Sequence, residues 1–215
     1  MAEPVNARRA YTAPLREAGA LETRRAVLRA ARALFVERGY NATKMADIAR
    51  AADVAVDTVY AAVGPKPAVL RELVETSLSG VDEAVVADER DYVQQIRAEK
   101  SAAEKLRTYA LALIETNVRL GPIHLVLREA SKADAACASL RQDIAKRRAW
   151  NMLRLAAELR ATGDVRSDLS DQQVADVLWS TNAAEFWALL IEERKWTPQE
   201  VGEWLADAWV RLLVS

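Results

Sequence analysis

The stretch TRRAVLRAARALFVERGYNATKMADIARAADVAVDTVYAAVGPKPAVLREL, residues 23–73, decides how the chain folds. Its apolar residues follow helical spacing. Val27, Leu28, Ala31, Leu34 and Phe35 form one stripe with arginines between them, and Gly39 supplies a C-terminal stop. After Tyr40 and Asn41, Thr43 is a good N-cap for a short second helix whose inward side is Met45, Ile48, Ala49 and Ala52. Asp53 interrupts that helix. A third segment, Ala55 to Ala62, keeps Val56, Val59 and Val63 apolar and leaves Asp57, Thr58 and Tyr60 polar. Gly64 and Pro65 then break the chain before a fourth helix carrying Val69, Leu70, Leu73, Val74 and Leu78. Two short helices joined by a three- or four-residue turn and held by a preceding helix make the helix-turn-helix unit, which lays its second helix in the DNA major groove. Residues 43–60 fit that unit.

Outward from this stretch the punctuation changes. Residues 1–20 mix Pro4, Pro14, Gly19 and three arginines without apolar periodicity, and they read as a mobile N-terminal arm. The head is placed at residues 21–81 and a body at 82–215. Three capping boxes mark helix starts in the body: Ser101 with Glu104, Ser170 with Gln173, and Thr197 with Glu200, the last with Pro198 at the favoured first position. Helices are predicted near 89–98, 101–119, 123–131, 134–162, 170–194 and 197–213. No segment alternates with period two long enough to argue a sheet, so the expected fold is all-α, a three-helix head on a helical bundle.

Bulk properties narrow the class. With 215 residues, 51% of them hydrophobic, the chain can bury a core without covalent staples. The single cysteine, Cys137, allows no intrachain disulfide, and the start lacks the apolar run of a secretory signal, which together point to a reducing, cytoplasmic setting. No uncharged run exceeds eight residues, as in Leu120 to Leu127, against the ~20 needed to span a bilayer, so no membrane association is expected. Residues 1–80 hold 12 Lys or Arg against 9 Asp or Glu, and residues 81–215 hold 18 against 22. A weakly basic head thus precedes a weakly acidic body.

The residue 23–73 string resembles the N-terminal domain of the tetracycline-repressor-like (TetR) family of regulators. The resemblance rests on Ala31, Leu34, Phe35, Gly39, Tyr40, Thr43, Asp47, Ile48, Ala49, Val54, Thr58, Tyr60 and Lys66. The segment from Trp179 through Trp196, Thr197, Pro198 and Trp204 is similar to the last two helices of some members. Asp53 and Asp57 stand where the family often has Gly, and Val63 where Phe is common. Asp tolerates unusual backbone angles, and Asp57 bears on base preference.

The polar residues of the head then take physical roles. Thr43 and Lys44 open the second helix, where free backbone N–H groups suit a DNA phosphate, and Lys66 opens the fourth. The resemblance places the Tyr60 hydroxyl against the sugar-phosphate backbone. Asp57 and Thr58 are the expected base readers, an Asp accepting from cytosine N4 and a Thr methyl meeting thymine, with Val56 beside them. Arg24 and Arg25, with Arg8 and Arg9 further out, add phosphate or minor-groove contacts. Taken singly, Thr43 is equally an N-cap, Lys66 a solvated charge and Tyr60 a core-edge aromatic; the joint spacing favours DNA.

A head this small reads few bases, so a homodimer on a two-fold double-stranded operator, with half-sites ~34 Å apart, is expected. The predicted 170–194 helix carries two apolar stripes, Val174, Val177, Leu178, Thr181 and then Trp179, Ala183, Phe186, Leu190, and the final helix adds Val201, Trp204, Leu205, Ala208, Trp209 and Leu212. The resemblance makes these last two helices the subunit interface. It also implies that a small-molecule effector in the body re-spaces the heads and releases DNA. Polar residues within apolar stretches are the pocket candidates: Tyr109, Glu115, Asn117, His124, Arg128, Asn182 and Glu185, with Phe186 beside them. The six tryptophans read as packing residues, and Cys137 as a small buried one.

Two other classes stay open. One is an enzyme on a helical bundle, built on carboxylates alone. One His and one Cys leave no His-rich metal site, and no Glu-x-x-His pair, P-loop or dinucleotide fingerprint appears, so no catalytic residue, metal or cofactor is expected. The other is a helical interaction protein that keeps the head without binding DNA.

Overall fold

The computed structural model describes residues 6–80 and 85–215, with side chains from residue 18 onward. Among the described residues the fold is all-α, with no strand and one isolated bridge between Val165 and Val214. Two compact units divide between Leu73 and Val74.

In the first unit, α1 (Asn6–Arg38), α2 (Met45–Ala51), α3 (Val56–Ala62) and the first part of α4 (Lys66–Ser79) enclose a core of Val27, Ala31, Leu34, Phe35, Ile48, Val59 and Leu70. Helix α1 begins well before Thr23 and runs through most of the segment for which the sequence predicts a mobile arm. Residues 15–26, LREAGALETRRA, are dense in Leu, Ala, Glu and Arg, whose helix propensity outweighs the missing apolar stripe. Thr23 is internal, its hydroxyl donating to the Gly19 carbonyl at 2.9 Å. Pro4 and the side chains of Arg8, Arg9 and Pro14 lie outside the described residues.

Helix α2 corrects the expected cap. Thr43 is 1% exposed and turns its hydroxyl back to the carbonyls of Gly39 (2.9 Å) and Leu34 (3.3 Å). Lys44 is the N-cap residue, and its amide donates to the Asp47 carboxylate at 3.0 Å. The Gly39 carbonyl, with that of Leu34 behind it, takes the Thr43 hydroxyl in place of the local amide. The turn into α3 is closed by the Val54 amide on the Ala49 carbonyl at 3.0 Å, with Asp53 at φ +55°. This is the left-handed geometry expected of Asp53, and it forbids β-branched residues. Asp53→Val is expected to cost about 1–2 kcal/mol of unfolding free energy, and Asp53→Asn or Asp53→Gly within about 0.5 kcal/mol of wild type, read from urea midpoints.

The second unit centres on α6 (Ala102–Ala130), which packs against α5 (Asp91–Ala98), α7 (Ala135–Arg160), α9 (Ala184–Ala188) and α10 (Pro198–Leu213), while α8 (Asp171–Thr181) lies on α7. All three predicted capping boxes form: the Glu104, Gln173 and Glu200 amides each donate to the cap hydroxyl at 3.2 Å. Gly202 lets α10 approach α6 closely, since a Cβ there would run into Ile114. The buried ammonium of Lys105 donates to the Ile96 carbonyl at 2.7 Å and closes the C-terminal end of α5.

Two helix boundaries differ from the sequence expectation. Helix α6 continues through Gly121 and Pro122, where a break between 119 and 123 is predicted. Leu120, Gly121, Ile123 and Leu127 on either side are all buried, and their packing outweighs the ~3 kcal/mol cost of an internal proline. The predicted 170–194 helix is instead broken at Asn182 and Ala183. Asn182 spends its amide on side chains of other helices and ends α8, and Ala183 is extended at ψ 145° before α9 and a π-helical turn, Leu189–Glu193. By length and composition α6 alone among the described helices is long and apolar enough to cross a membrane; here it is the core helix, with thirteen buried residues.

Candidate nucleic-acid interface and ligand cavity

In the head, fully buried Val59 anchors α3, and this fixes which residues point out. Positions 56, 57, 60 and 61 share the outward face by helical phase, so Val56 (38% exposed), Asp57, Tyr60 (48% exposed) and Ala61 form one exposed surface, with Thr58 half-buried at its edge. Lys44 is exposed at the start of α2. The ammonium of Lys66 sits 4.1 Å from the centre of the Tyr40 ring, a cation–π contact that places this charge at the N-terminus of α4. Arg24 is ion-paired with Glu72 and ties α1 to α4. The structure therefore gathers Lys44, Val56, Asp57, Tyr60 and Lys66 as surface groups and turns Thr43 and Arg24 toward the protein.

The body contains a cavity of about 140 Å³ lined by α5, α6, α7, the last turns of α4, and Asn182. Its α6 wall is a single stripe: Tyr109, Leu113, Thr116, Asn117, Leu120 and His124. Tyr109 is the middle ring of a stack, with Tyr92 at 6.4 Å and Trp209 at 5.5 Å. Asn182 Nδ2 donates to the Tyr109 hydroxyl at 2.6 Å, and the Tyr109 hydroxyl donates to Met152 Sδ at 3.6 Å. Arg148 donates to Asn182 Oδ1 and, at 2.9 Å, to the Trp179 carbonyl, while its guanidinium lies over the Trp179 ring at 5.1 Å.

Burial, then the nearby Arg148 charge, brings the His124 pKa down to about 4, with Glu185 opposing. The imidazole is therefore neutral near pH 7, with one donor and one acceptor nitrogen. Burial raises the Tyr109 hydroxyl pKa, so it stays a neutral phenol. Burial lowers the Arg148 pKa, though a guanidinium in this setting keeps its proton.

Of the predicted pocket residues, Tyr109, Asn117, His124 and Asn182 line the cavity. The others do not. Glu115 faces solvent and pairs with Arg119 at 3.6 Å, Arg128 lies against Glu129 at 3.5 Å, and Phe186 stacks on Trp204 at 6.0 Å. Glu185 is felt by His124 electrostatically without forming the wall. No tryptophan lines the cavity, and Cys137 is fully buried. Arg148, Asn151 and Met152 are lining residues missed from sequence. The signal was present: Ile144, Arg148 and Met152 fall at i, i+4 and i+8, so Arg148 sits on the inward stripe of α7 although it lies in the basic run KRRAW.

The first unit is thus a helix-turn-helix head with an exposed third helix, and the second is a helical body with a cavity. Residues 27–73, the helix-turn-helix head, match the model of the bacterial regulatory proteins of the tetR family. The fold of the chain is similar to that of a transcriptional regulator from Saccharomonospora viridis crystallised with choline, at 18% identity and a TM-score of 0.67, covering 90% of this chain and 98% of the other. It is also similar to SmeT in complex with triclosan (20% identity, TM-score 0.64, 90% and 92% covered). A third is the ketosteroid regulator KstR2 of Mycobacterium tuberculosis (20%, TM-score 0.63, 89% and 95%). At these identities the likeness is one of fold. None of the curated proteins matches the chain by sequence.

Proposed function

We propose that the protein is a cytoplasmic repressor that binds a palindromic double-stranded operator as a homodimer and leaves it when a small effector occupies the body. The observation that carries the DNA reading is the outward face of α3, where Val56, Asp57 and Tyr60 stand exposed around the buried anchor Val59. In this reading Asp57, Thr58 and Val56 contact base edges, while Lys44, Tyr60 and Lys66 hold the backbone. Thr43 contributes by setting the start of α2, and Arg24 by fixing α1 to α4. The dimer surface is the outer side of the last helices: Trp204 and Leu212 on α10 and Leu189 in the π turn stay exposed after α10 has buried Val201, Leu205, Trp209 and Leu213 in its own body. An effector acts by binding the released conformation more tightly than the DNA-bound one.

The test is binding to DNA upstream of the protein's own gene across a salt series. Log affinity is expected to fall linearly with log salt, and absence of sequence-preferring binding at low salt would overturn the reading in favour of a helical interaction protein. Lys44→Ala and Lys66→Ala are expected to weaken all sequences alike and to lower the salt slope by about one each. Asp57→Ala is expected to shift the preference at one base position about tenfold, and an equal loss on every sequence would remove Asp57 as a reader.

A further inference from the structure

Resting on the effector reading above, a narrower inference comes from the polar groups that the cavity leaves unsatisfied. Asn117 is 4% exposed, yet its Nδ2 has no hydrogen-bond partner. A buried donor without an acceptor costs roughly 1–3 kcal/mol, and an acceptor brought in by a bound molecule removes that cost. On the α7 side of the same cavity, both hydrogen bonds of Arg148 run from Nη2, so Nε and Nη1 have no acceptor among the described residues.

The charges lining the cavity are unbalanced in the same direction. Asp88 is shared by Arg97 at 2.9 Å and Arg154 at 3.2 Å, Glu158 lies 3.7 Å from Arg97, and Arg147 pairs with Glu75 at 2.8 Å. The carboxylates that line the cavity, Asp88 and Glu158, are therefore engaged at the rim, while Glu185 acts on His124 and Arg148 from beyond ion-pair distance. Among the described residues Arg148 has no carboxylate within ion-pair distance, and Arg90 donates to the Val85 carbonyl and the Tyr92 hydroxyl. The remaining walls, Tyr92, Leu113, Leu120, Ile144 and Leu155, are apolar or aromatic. Their volume of about 140 Å³ is close to that of an engineered cavity of ~150 Å³ that takes up benzene.

We infer that the cavity binds a small monocarboxylate with a compact apolar body, of the size of benzoate or phenylacetate, its carboxylate accepting from Asn117 Nδ2 and Arg148 and its ring lying against Tyr92, Leu113 and Ile144. A neutral amide of the same shape keeps one carbonyl acceptor but loses the charge-assisted bond, and an amine sets a third cation among arginines. The wall therefore distinguishes acid, amide and amine by charge at equal size.

The experiment is calorimetric titration of the full-length protein, without DNA, with benzoate, phenylacetate, benzamide and benzylamine. Benzoate or phenylacetate is expected to bind at least about tenfold more tightly than benzamide, with no binding of benzylamine. Asn117→Leu removes the orphan donor at similar volume, so its thermal midpoint without ligand is expected to equal or exceed that of wild type while the acid binds at least about fivefold more weakly. Arg148→Gln is expected to bring the acid-to-amide ratio below about threefold, and Arg148→Lys, which keeps the charge but not the planar fork over Trp179, to restore part of it. Equal binding of acid and amide by wild type, preference for the amine, or an undiminished acid affinity in Asn117→Leu and Arg148→Gln would each overturn the assignment. Operator release is scored separately. An acid that binds without releasing DNA leaves the ligand class standing and refutes the effector role; release by uncharged compounds with no acid binding does the reverse.

Discussion

Replacing Trp209 by Ala is expected to lower the unfolding free energy by about 3–5 kcal/mol at fixed protein concentration, measured by urea titration followed by far-ultraviolet circular dichroism. Trp209 is 0% exposed and is the largest fully buried side chain of the body. Three contributions act together. The indole leaves a void between α10 and α6, the stack on Tyr109 at 5.5 Å is lost, and Thr181 Oγ1 loses the Nε1 donor at 2.8 Å. Trp209→Phe keeps the stack and most of the volume and is expected to cost about 1–2 kcal/mol. A loss below about 1 kcal/mol for the alanine variant would show that α10 is not seated on α6 as described. Because Tyr109 is the middle ring, the alanine variant is also expected to alter the near-ultraviolet signal of the tyrosines.

Stability is expected to drain away between pH 6.5 and pH 4 by up to about 3 kcal/mol, and His124→Gln to remove most of that slope. His124 is the chain's only histidine, so no other imidazole titrates in this window. Its folded pKa of about 4 lies below the unfolded value near 6.5, and the unfolded chain therefore binds the extra proton as pH falls. The stability is fully present above pH 6.5 and is lost as pH approaches 4. Facing the imidazole are Arg148 and Arg141 from α7, which deepen the depression, and Glu185 from α9, which opposes it. The carboxylates held low by hydrogen bonds, Glu104, Glu129, Glu200, Asp88 and Asp168, titrate below their ordinary range and so contribute at the acid end. Urea midpoints at pH 7.5, 6 and 5 for wild type and variant separate the two. An unchanged slope in His124→Gln would place the cause elsewhere.

The head is legible in the sequence because its signals are local. Gly39, Asp53 and the Gly64-Pro65 pair punctuate at short intervals, and Val59 alone fixes the phase of α3. The capping boxes of the body are equally local, each a pair three residues apart. What escapes are competitions decided by distant groups. Thr43 has the chemistry of a cap, but the carbonyls of Gly39 and Leu34, four and nine residues back, take its hydroxyl. Pro122 reads as a stop until the buried residues around it are seen, and Asn182 reads as helical until Tyr109 and Arg148 claim its amide. The cavity follows the same rule. Tyr109, Asn117 and His124 share one stripe of α6 at i, i+8 and i+15, whereas Glu115 is out of phase with it and points to water. Arg148 was hidden because a run of cations looks like a solvated face, and only the phase of its apolar neighbours Ile144 and Met152 turns it inward.

Asn182, where α8 stops, is also a polarity key. Its oxygen faces a guanidinium and its nitrogen a phenol, so the two ends of the amide are not interchangeable. Turned end for end, it would press two N–H groups against the N–H groups of Arg148, donor against donor. One small side chain thus fits only one way round, and through that fit it holds α6, α7 and the α8–α9 corner to a single mutual register. An aspartate there would keep the guanidinium and lose the bond donated to Tyr109, and a leucine of similar size would lose both. Of the three residues, only asparagine both donates to Tyr109 and accepts from Arg148.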